Sequence, residues 1–154
     1  MSHILNKKFN FIVYTDGACL GNPGPGGWAA IIINEDNQIK KIYGSEKNTT
    51  NNRMELKASI KAINEIKNCK NIKIFTDSKY LIDGINNWII KWKKNNWMTS
   101  NKKPVKNKDL WITLDNLLQN LSVEWEWVKG HSGNKMNEEV DLMARNEASK
   151  LNTS

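Results

Sequence analysis

The chain has 154 residues, 39% of them hydrophobic and 25% charged, and carries a net charge of +7. That length suits one compact domain spanning residues 1–154, and no run approaches the roughly 20 apolar residues of a membrane span. Cys19 and Cys69 form no CxxC pair, and the segment around Lys7 and Lys8 offers no small-residue cleavage site. A disulfide framework, a zinc site and a secretory signal are therefore not expected, and a cytoplasmic location is.

FNFIVYTDGA (residues 9–18) is dense in β-branched and aromatic residues and reads as a central strand ending near Asp16. GNPGPGG (21–27) reads as a turn, and WAAIIIN (28–34) and QIKKIYGS (38–45) as two strands of an antiparallel hairpin. From Thr50 the period becomes helical, with Met54, Ala58, Ala62 and Ile66 four apart and Thr49 or Thr50 available as a cap. NIKIFTD (71–77) is a short strand ending at Asp77.

A helix follows with Leu81, Ile85, Trp88, Ile89 and Trp92 on one face, interrupted at Gly84. Between Lys91 and Lys108 stand seven lysines and no acid. Removing those seven from the 23 basic residues leaves the chain balanced against its 16 acids. Trp92 and Trp97 lie within this segment, so it reads as a basic protrusion at about 91–108 for a polyanion. KDLWITLDNLLQN is a helix with Leu110, Leu114, Leu117 and Leu118 inward. VEWEWV (123–128) is a strand with one exposed face, KGHSGN a loop and MNEEVDLMARNEASK a final helix. Trp111, Trp125 and Trp127 are assigned to packing among apolar neighbours.

The order β-β-β-α-β-α-α-β-α predicts an α/β fold: a five-stranded mixed sheet, three strands antiparallel and two parallel, flanked by helices. Asp16 and Asp77 then sit at the carboxyl ends of strands, where such sheets present a crevice. Glu55 flanks its helix beside Met54, and Asp141 opens the last helix, near the same edge. Gathered carboxylates repel and raise one another's pKa unless cations compensate. Hard divalent ions suit them, and two ions can support phosphodiester hydrolysis. Each acid alone is also a good cap or surface charge, Asp77 before Ser78 above all.

TDGAC with GNPGPGGW, TTNNRMELKA, FTDSKYL, WKKNNW…KKPVKNKDLW and WEWVKGHSGN…NEEVDLMAR occur in that order from about Phe9 to Ala148. Together they resemble bacterial type I ribonuclease H. The resemblance implies a ribonuclease H-like fold and a monomer. It implies endonucleolytic hydrolysis of the RNA strand of RNA–DNA hybrids by a two-metal-ion mechanism, leaving 5′-phosphate and 3′-hydroxyl ends. Magnesium is the implied ion, with manganese a substitute. Asp16, Glu55, Asp77 and Asp141 would hold it, His131 would carry protons, and Asn137 would support the site.

By the same resemblance Cys19, Asn22 and Asn51, with Thr50 and Asn52 nearby, would feel the hybrid, and Thr50 with Asn22 would grip a DNA phosphate. Trp88 would pack under the DNA sugars, and the protrusion, through Trp92, Lys93, Lys94, Trp97, Lys102 and Lys103, would hold the DNA backbone. Lys79 stands where Gln is expected and turns a minor-groove amide contact into a cationic one. Asn134 and Lys135 stand where His and Pro are expected, which points to a more mobile loop around His131. The rival readings are a transposase-like DNA nuclease, disfavoured by the basic protrusion and TTNNRMEL, and a non-catalytic hybrid-binding module, disfavoured because no acid is missing.

Overall fold

The computed structural model describes residues 9–66, 70–130 and 134–152. Strands β1 (Phe11–Cys19), β2 (Gly24–Asn34) and β3 (Ile39–Thr49) lead into helix α1 (Asn51–Glu65). After β4 (Asn71–Thr76) come α2 (Lys79–Asp83), a π-helical turn (Gly84–Trp88) and α3 (Ile89–Lys94). Then follow α4 (Lys108–Leu118), β5 (Ser122–Trp127) and α5 (Lys135–Asn152). The five strands lie in the order β3-β2-β1-β4-β5. β1 pairs antiparallel with β2 and β2 with β3, while β4 runs parallel to both β1 and β5. This is the expected mixed sheet.

Both faces of the central strands are covered, which is why β1 and β2 read as near-continuous apolar runs. Ala30 and Ile32 of β2 face a large core with Leu56, Ile60 and Ile63 of α1, Leu81, Ile89, Trp111 and Leu114. Their alternates Ala29 and Ile31 face Val140 and Ala144 of α5. Trp111 is the largest fully buried side chain, and a Cβ on Gly84 would lie 2.1 Å from its ring. The interruption expected at Gly84 is therefore a place where the helix thins to admit an indole.

Two of the boundaries that differ from the sequence reading bear on the site. β2 starts at Gly24, so the second half of GNPGPGG is strand rather than turn. The cause is packing: a Cβ on Gly27 would lie 2.2 Å from the Ala144 carbonyl oxygen, and one on Gly26 would lie 2.9 Å from Met54 Cγ. Those glycines let α5 and α1 press onto the sheet. Asp141 lies in the second turn of α5 rather than opening it, because the helix already begins at Lys135.

Candidate active site

Ser78, not Asp77, caps α2: its Oγ accepts the Leu81 N–H at 3.1 Å. Asp77 directly follows β4, next to the end of β1, where Tyr14 pairs with Phe75. Gly17 explains the third acid. A Cβ there would lie 2.4 Å from the Glu55 nitrogen and the Met54 carbonyl carbon, so only glycine lets α1 cross β1 this closely. As a result Asp16, Glu55 and Asp77 each offer an oxygen, all three within 4.8 Å of one another. We expect Gly17→Ala to cost about 1–3 kcal/mol, as overpacking does, and to lower turnover at unchanged substrate affinity, read from urea unfolding and steady-state kinetics.

Asp16 is 2% exposed and Glu55 5%. The Gly17 N–H donates to Asp16 Oδ1 at 2.8 Å. Among the described residues Asp16 Oδ2 and Glu55 Oε1 are buried with no hydrogen-bond partner. Burial, then the Asp77 charge, then the Asp141 carboxyl raise the Asp16 pKa from 3.8 to about 9. Burial, then the charges of Asp16 and Asp77, hold Glu55 well above its ordinary value. Buried oxygens without partners beside like charges are costly. A divalent cation would satisfy the oxygens and offset the repulsion, so the donor set fits one.

Asp141 lies near enough to this group for its carboxyl to raise the Asp16 pKa. Its Oδ2 also accepts from Arg145 Nε at 3.1 Å, one helical turn on. Three of the four predicted acids thus converge directly, and the fourth borders them. His131 lies outside the described residues. Asn137 is 2% exposed.

Trp127 departs from its assignment to packing. It is 40% exposed, its indole N–H donates to the Asp77 carbonyl oxygen at 3.1 Å, and Lys79 Nζ stands 4.3 Å from its ring centroid. The alternation of VEWEWV points Trp127 inward with Val123 and Trp125, but β5 is the sheet edge and its last residue is uncovered. Gly130 was also missed. A Cβ there would lie 3.2 Å from Asp77 Oδ2, so the backbone at Gly130 passes close to that carboxylate.

The polar residues around the N-terminus of α1 form a second group. Thr50 is the N-cap, accepting the Arg53 N–H at 3.2 Å, and Asn22 Oδ1 accepts the Asn51 N–H at 3.0 Å. Cys19 Sγ donates to the Gly21 carbonyl at 2.9 Å, and the Gly24 and Thr49 carbonyls lie within its reach. It therefore ties the turn to the end of β3. Asn22, Asn51 and Asn52 stay exposed. Arg53 grips Asp109 with two hydrogen bonds of 2.9 and 2.8 Å. That clamp holds α4, and with it the base of the protrusion, beside this group.

Within the protrusion Trp92 and Trp97 are half-buried. Trp92 packs on Trp88, Trp97 and Trp111 at centroid distances of 5.8, 6.2 and 5.6 Å. Their first role is to anchor the protrusion, together with buried Val105, whose N–H donates to the Trp97 carbonyl at 3.1 Å. Tyr80, Trp88, Trp92 and Lys106 line a cleft of about 330 Å³. Lys93 pairs with Asp115 at 3.2 Å, whereas Lys94, Lys102 and Lys103 are exposed.

The sheet order, the helices on both faces and the acidic edge define an α/β domain of the ribonuclease H-like class. LC9-RNase H1, a type 1 RNase H with the type 2 active-site motif, superposes with a TM-score of 0.81 at 31% identity, covering 92% of this chain and 72% of that one. LC11-RNase H1, solved in complex with RNA/DNA hybrid, shares the fold with a TM-score of 0.66 at 18% identity over 91% of this chain and 97% of that one. The RNase H family model matches residues 8–149. The Ribonuclease H of Francisella tularensis subsp. novicida (strain U112) is 55% identical over 148 residues, 96% of this chain and 97% of the relative. The chain belongs to the ribonuclease H family.

Proposed function

We propose that this chain is a single ribonuclease H domain that hydrolyses the RNA strand of RNA–DNA hybrids endonucleolytically, leaving 5′-phosphate and 3′-hydroxyl ends. The observation that carries the reading is the group of three carboxylate oxygens within 4.8 Å, two of the acids buried, bordered by Asp141. Asp16, Glu55, Asp77 and Asp141 would hold magnesium, two ions during catalysis, with manganese as an alternative. A bound divalent ion supplies a water of lowered pKa and a counter-charge for the departing oxygen.

The chain's own residues do the remaining work. Gly17 keeps Glu55 against Asp16, and the Trp127 N–H steadies the Asp77 backbone. His131 would carry a proton, a task suited to a side chain that titrates near neutrality. The N-terminus of α1, with Thr50, Asn51 and Asn22, suits a phosphate of the DNA strand, while Cys19 and Asn52 sit beside it. Asn51 also suits contact with the RNA strand, whose 2′-hydroxyl separates the two strands. The cleft edged by Trp88 suits sugar rings, and Lys79, poised over Trp127, suits the backbone near Asp77. Among the described residues no helix is long and apolar enough to cross a membrane. A cytoplasmic monomer belongs to the same reading.

Labelled RNA–DNA hybrid, double-stranded RNA and double-stranded DNA, each incubated with magnesium and with chelator, test it. Only the hybrid should be cut, and only with magnesium. Comparable cleavage of double-stranded DNA would overturn the substrate assignment, and cleavage in chelator the metal assignment.

The protrusion yields a separate expectation. Lysine–phosphate contacts release counterions, each contributing a slope of about 0.9 in log affinity against log salt. Replacing Lys94, Lys102 and Lys103 by Gln should raise KM and flatten the salt dependence by about two to three units. Lys93→Gln alone should do less, since Asp115 already neutralises Lys93. Fluorescence anisotropy across a salt series measures both; an unchanged slope in the triple variant would place the binding surface elsewhere.

A further inference from the structure

Asp77 sits in the turn between β4 and α2, and the end of β5 closes onto that turn. The Val128 N–H donates to the Thr76 carbonyl at 2.8 Å. The Trp127 indole N–H donates to the Asp77 carbonyl at 3.1 Å. That bond uses only the Asp77 backbone, so the carboxylate stays in the group it forms with Asp16 and Glu55.

The same indole holds a cation. Lys79 Nζ stands 4.3 Å from the ring centroid, inside the roughly 6 Å over which an ammonium is drawn to an aromatic face. The N–H bond fixes the ring against Asp77, and the ring in turn places the ammonium. A lysine that would otherwise swing on a flexible four-carbon stem is thereby given a position relative to the carboxylates.

Nothing in the helix accounts for a lysine here. Lys79 is the first residue of α2 after the cap Ser78, and the positive end of a helix disfavours a cation. None of the ion pairs among the described residues includes it. An aromatic face holds an ammonium without neutralising it, unlike Asp115 beside Lys93. Lys79 itself is exposed, and Trp127 is 40% exposed. An ammonium with its charge intact, held at the rim of an acidic group, suits an anion that must approach that group. A backbone phosphate of a nucleic-acid strand laid across this edge is such an anion.

We propose that Trp127 is a positioning residue that holds Lys79 beside Asp77, where the ammonium meets a phosphate of the strand being cut. This rests on the reading of the chain as a nuclease acting on hybrids. Lys79 touches substrate; Trp127 acts through other groups. Its ring face governs binding through Lys79, and its N–H governs turnover through the Asp77 backbone. The two effects are therefore separable.

The test uses Lys79→Gln, Trp127→Phe, Trp127→Leu and the double variant Lys79→Gln/Trp127→Leu of the full chain. Anisotropy of labelled hybrid in chelator is followed across a salt series, and kcat and KM are measured in magnesium, with thermal melts of each preparation. Lys79→Gln should flatten the salt slope by about one unit, the share of one phosphate contact, and raise KM. Trp127→Leu should raise KM by about two- to fivefold, what an exposed cation–π contact is worth, and also lower kcat. In the double variant the leucine should add nothing further to KM while still lowering kcat, since its effect on binding runs through Lys79. Phenylalanine keeps an aromatic face and loses the N–H, so Trp127→Phe should lower kcat with KM closer to the parent than the leucine variant. An unchanged salt slope in Lys79→Gln, an equal KM rise from the leucine with or without Lys79, or a Trp127→Leu effect confined to melting temperature would overturn the proposal. A parent that binds hybrid without cutting it would instead remove the enzymatic reading, and the salt slopes in chelator would still decide the Lys79 contact.

Discussion

Asp77→Asn is expected to reduce cleavage of the hybrid by roughly a thousandfold or more, since several kcal/mol of charge stabilisation at the reacting phosphate depends on the metal group. Binding of the hybrid should be largely retained. Asparagine has nearly the same shape, and two of the local bonds do not involve the carboxylate. Ser78 supplies the helix cap, and the bond from Trp127 reaches the Asp77 backbone. Loss of the charge also relieves Asp16 and Glu55, whose carboxyls it helps to hold protonated. The variant should therefore melt at or slightly above the parent temperature in chelator while losing turnover. Gel-based cleavage with anisotropy and thermal melts of the same preparation separate these effects. Retained turnover in magnesium would sink the metal assignment; lost activity with lost folding would show that Asp77 is structural.

Much of this arrangement was legible in the sequence because it follows from local rules. The strand ends at Asp16 and Asp77 are marked by apolar runs, and parallel β1 and β4 follow from an intervening helical crossover. The choice between Asp77 as a cap and Asp77 as a ligand was not legible, because Asp and Ser are equally good caps at adjacent positions. Geometry decided it in favour of Ser78. Gly26 and Gly27 read as turn chemistry and Gly17 as part of a strand, yet each marks a close helix–sheet approach, which pairwise spacing cannot reveal. The TDG glycine was the available signal for Gly17. Trp127 was misjudged since alternation tells which face a residue takes, not whether the sheet edge leaves it covered. The tryptophans of the protrusion were read as exposed stacking groups because lysines surround them in sequence; in space they surround one another.

The second large effect concerns stability without metal. Burial, Asp77 and Asp141 raise the Asp16 pKa from 3.8 to about 9, and Glu55 is raised as well. A carboxyl that holds its proton more tightly in the folded state favours folding while protonated. Stability then falls as pH rises from the unfolded value toward the folded one. In chelator the parent should lose stability from Asp16 between about pH 4 and 9, the window set by those two values. Asp16→Asn, which cannot ionise and keeps an acceptor for the Gly17 N–H, should remove that loss. The gain in melting temperature should be small near pH 4 and largest near pH 8, each kcal/mol being worth about 2–4 °C at this chain length. Comparing the two proteins at each pH cancels groups with the opposite trend, such as Asp109, whose pKa Arg53 lowers. Magnesium should reverse the ranking at pH 8, stabilising the parent by binding the folded state alone and the variant little. Thermal melts at several pH values, with magnesium and with chelator, measure all four conditions. A variant less stable than the parent at pH 8 in chelator would mean that Asp16 is already compensated within the protein and has no need of a cation.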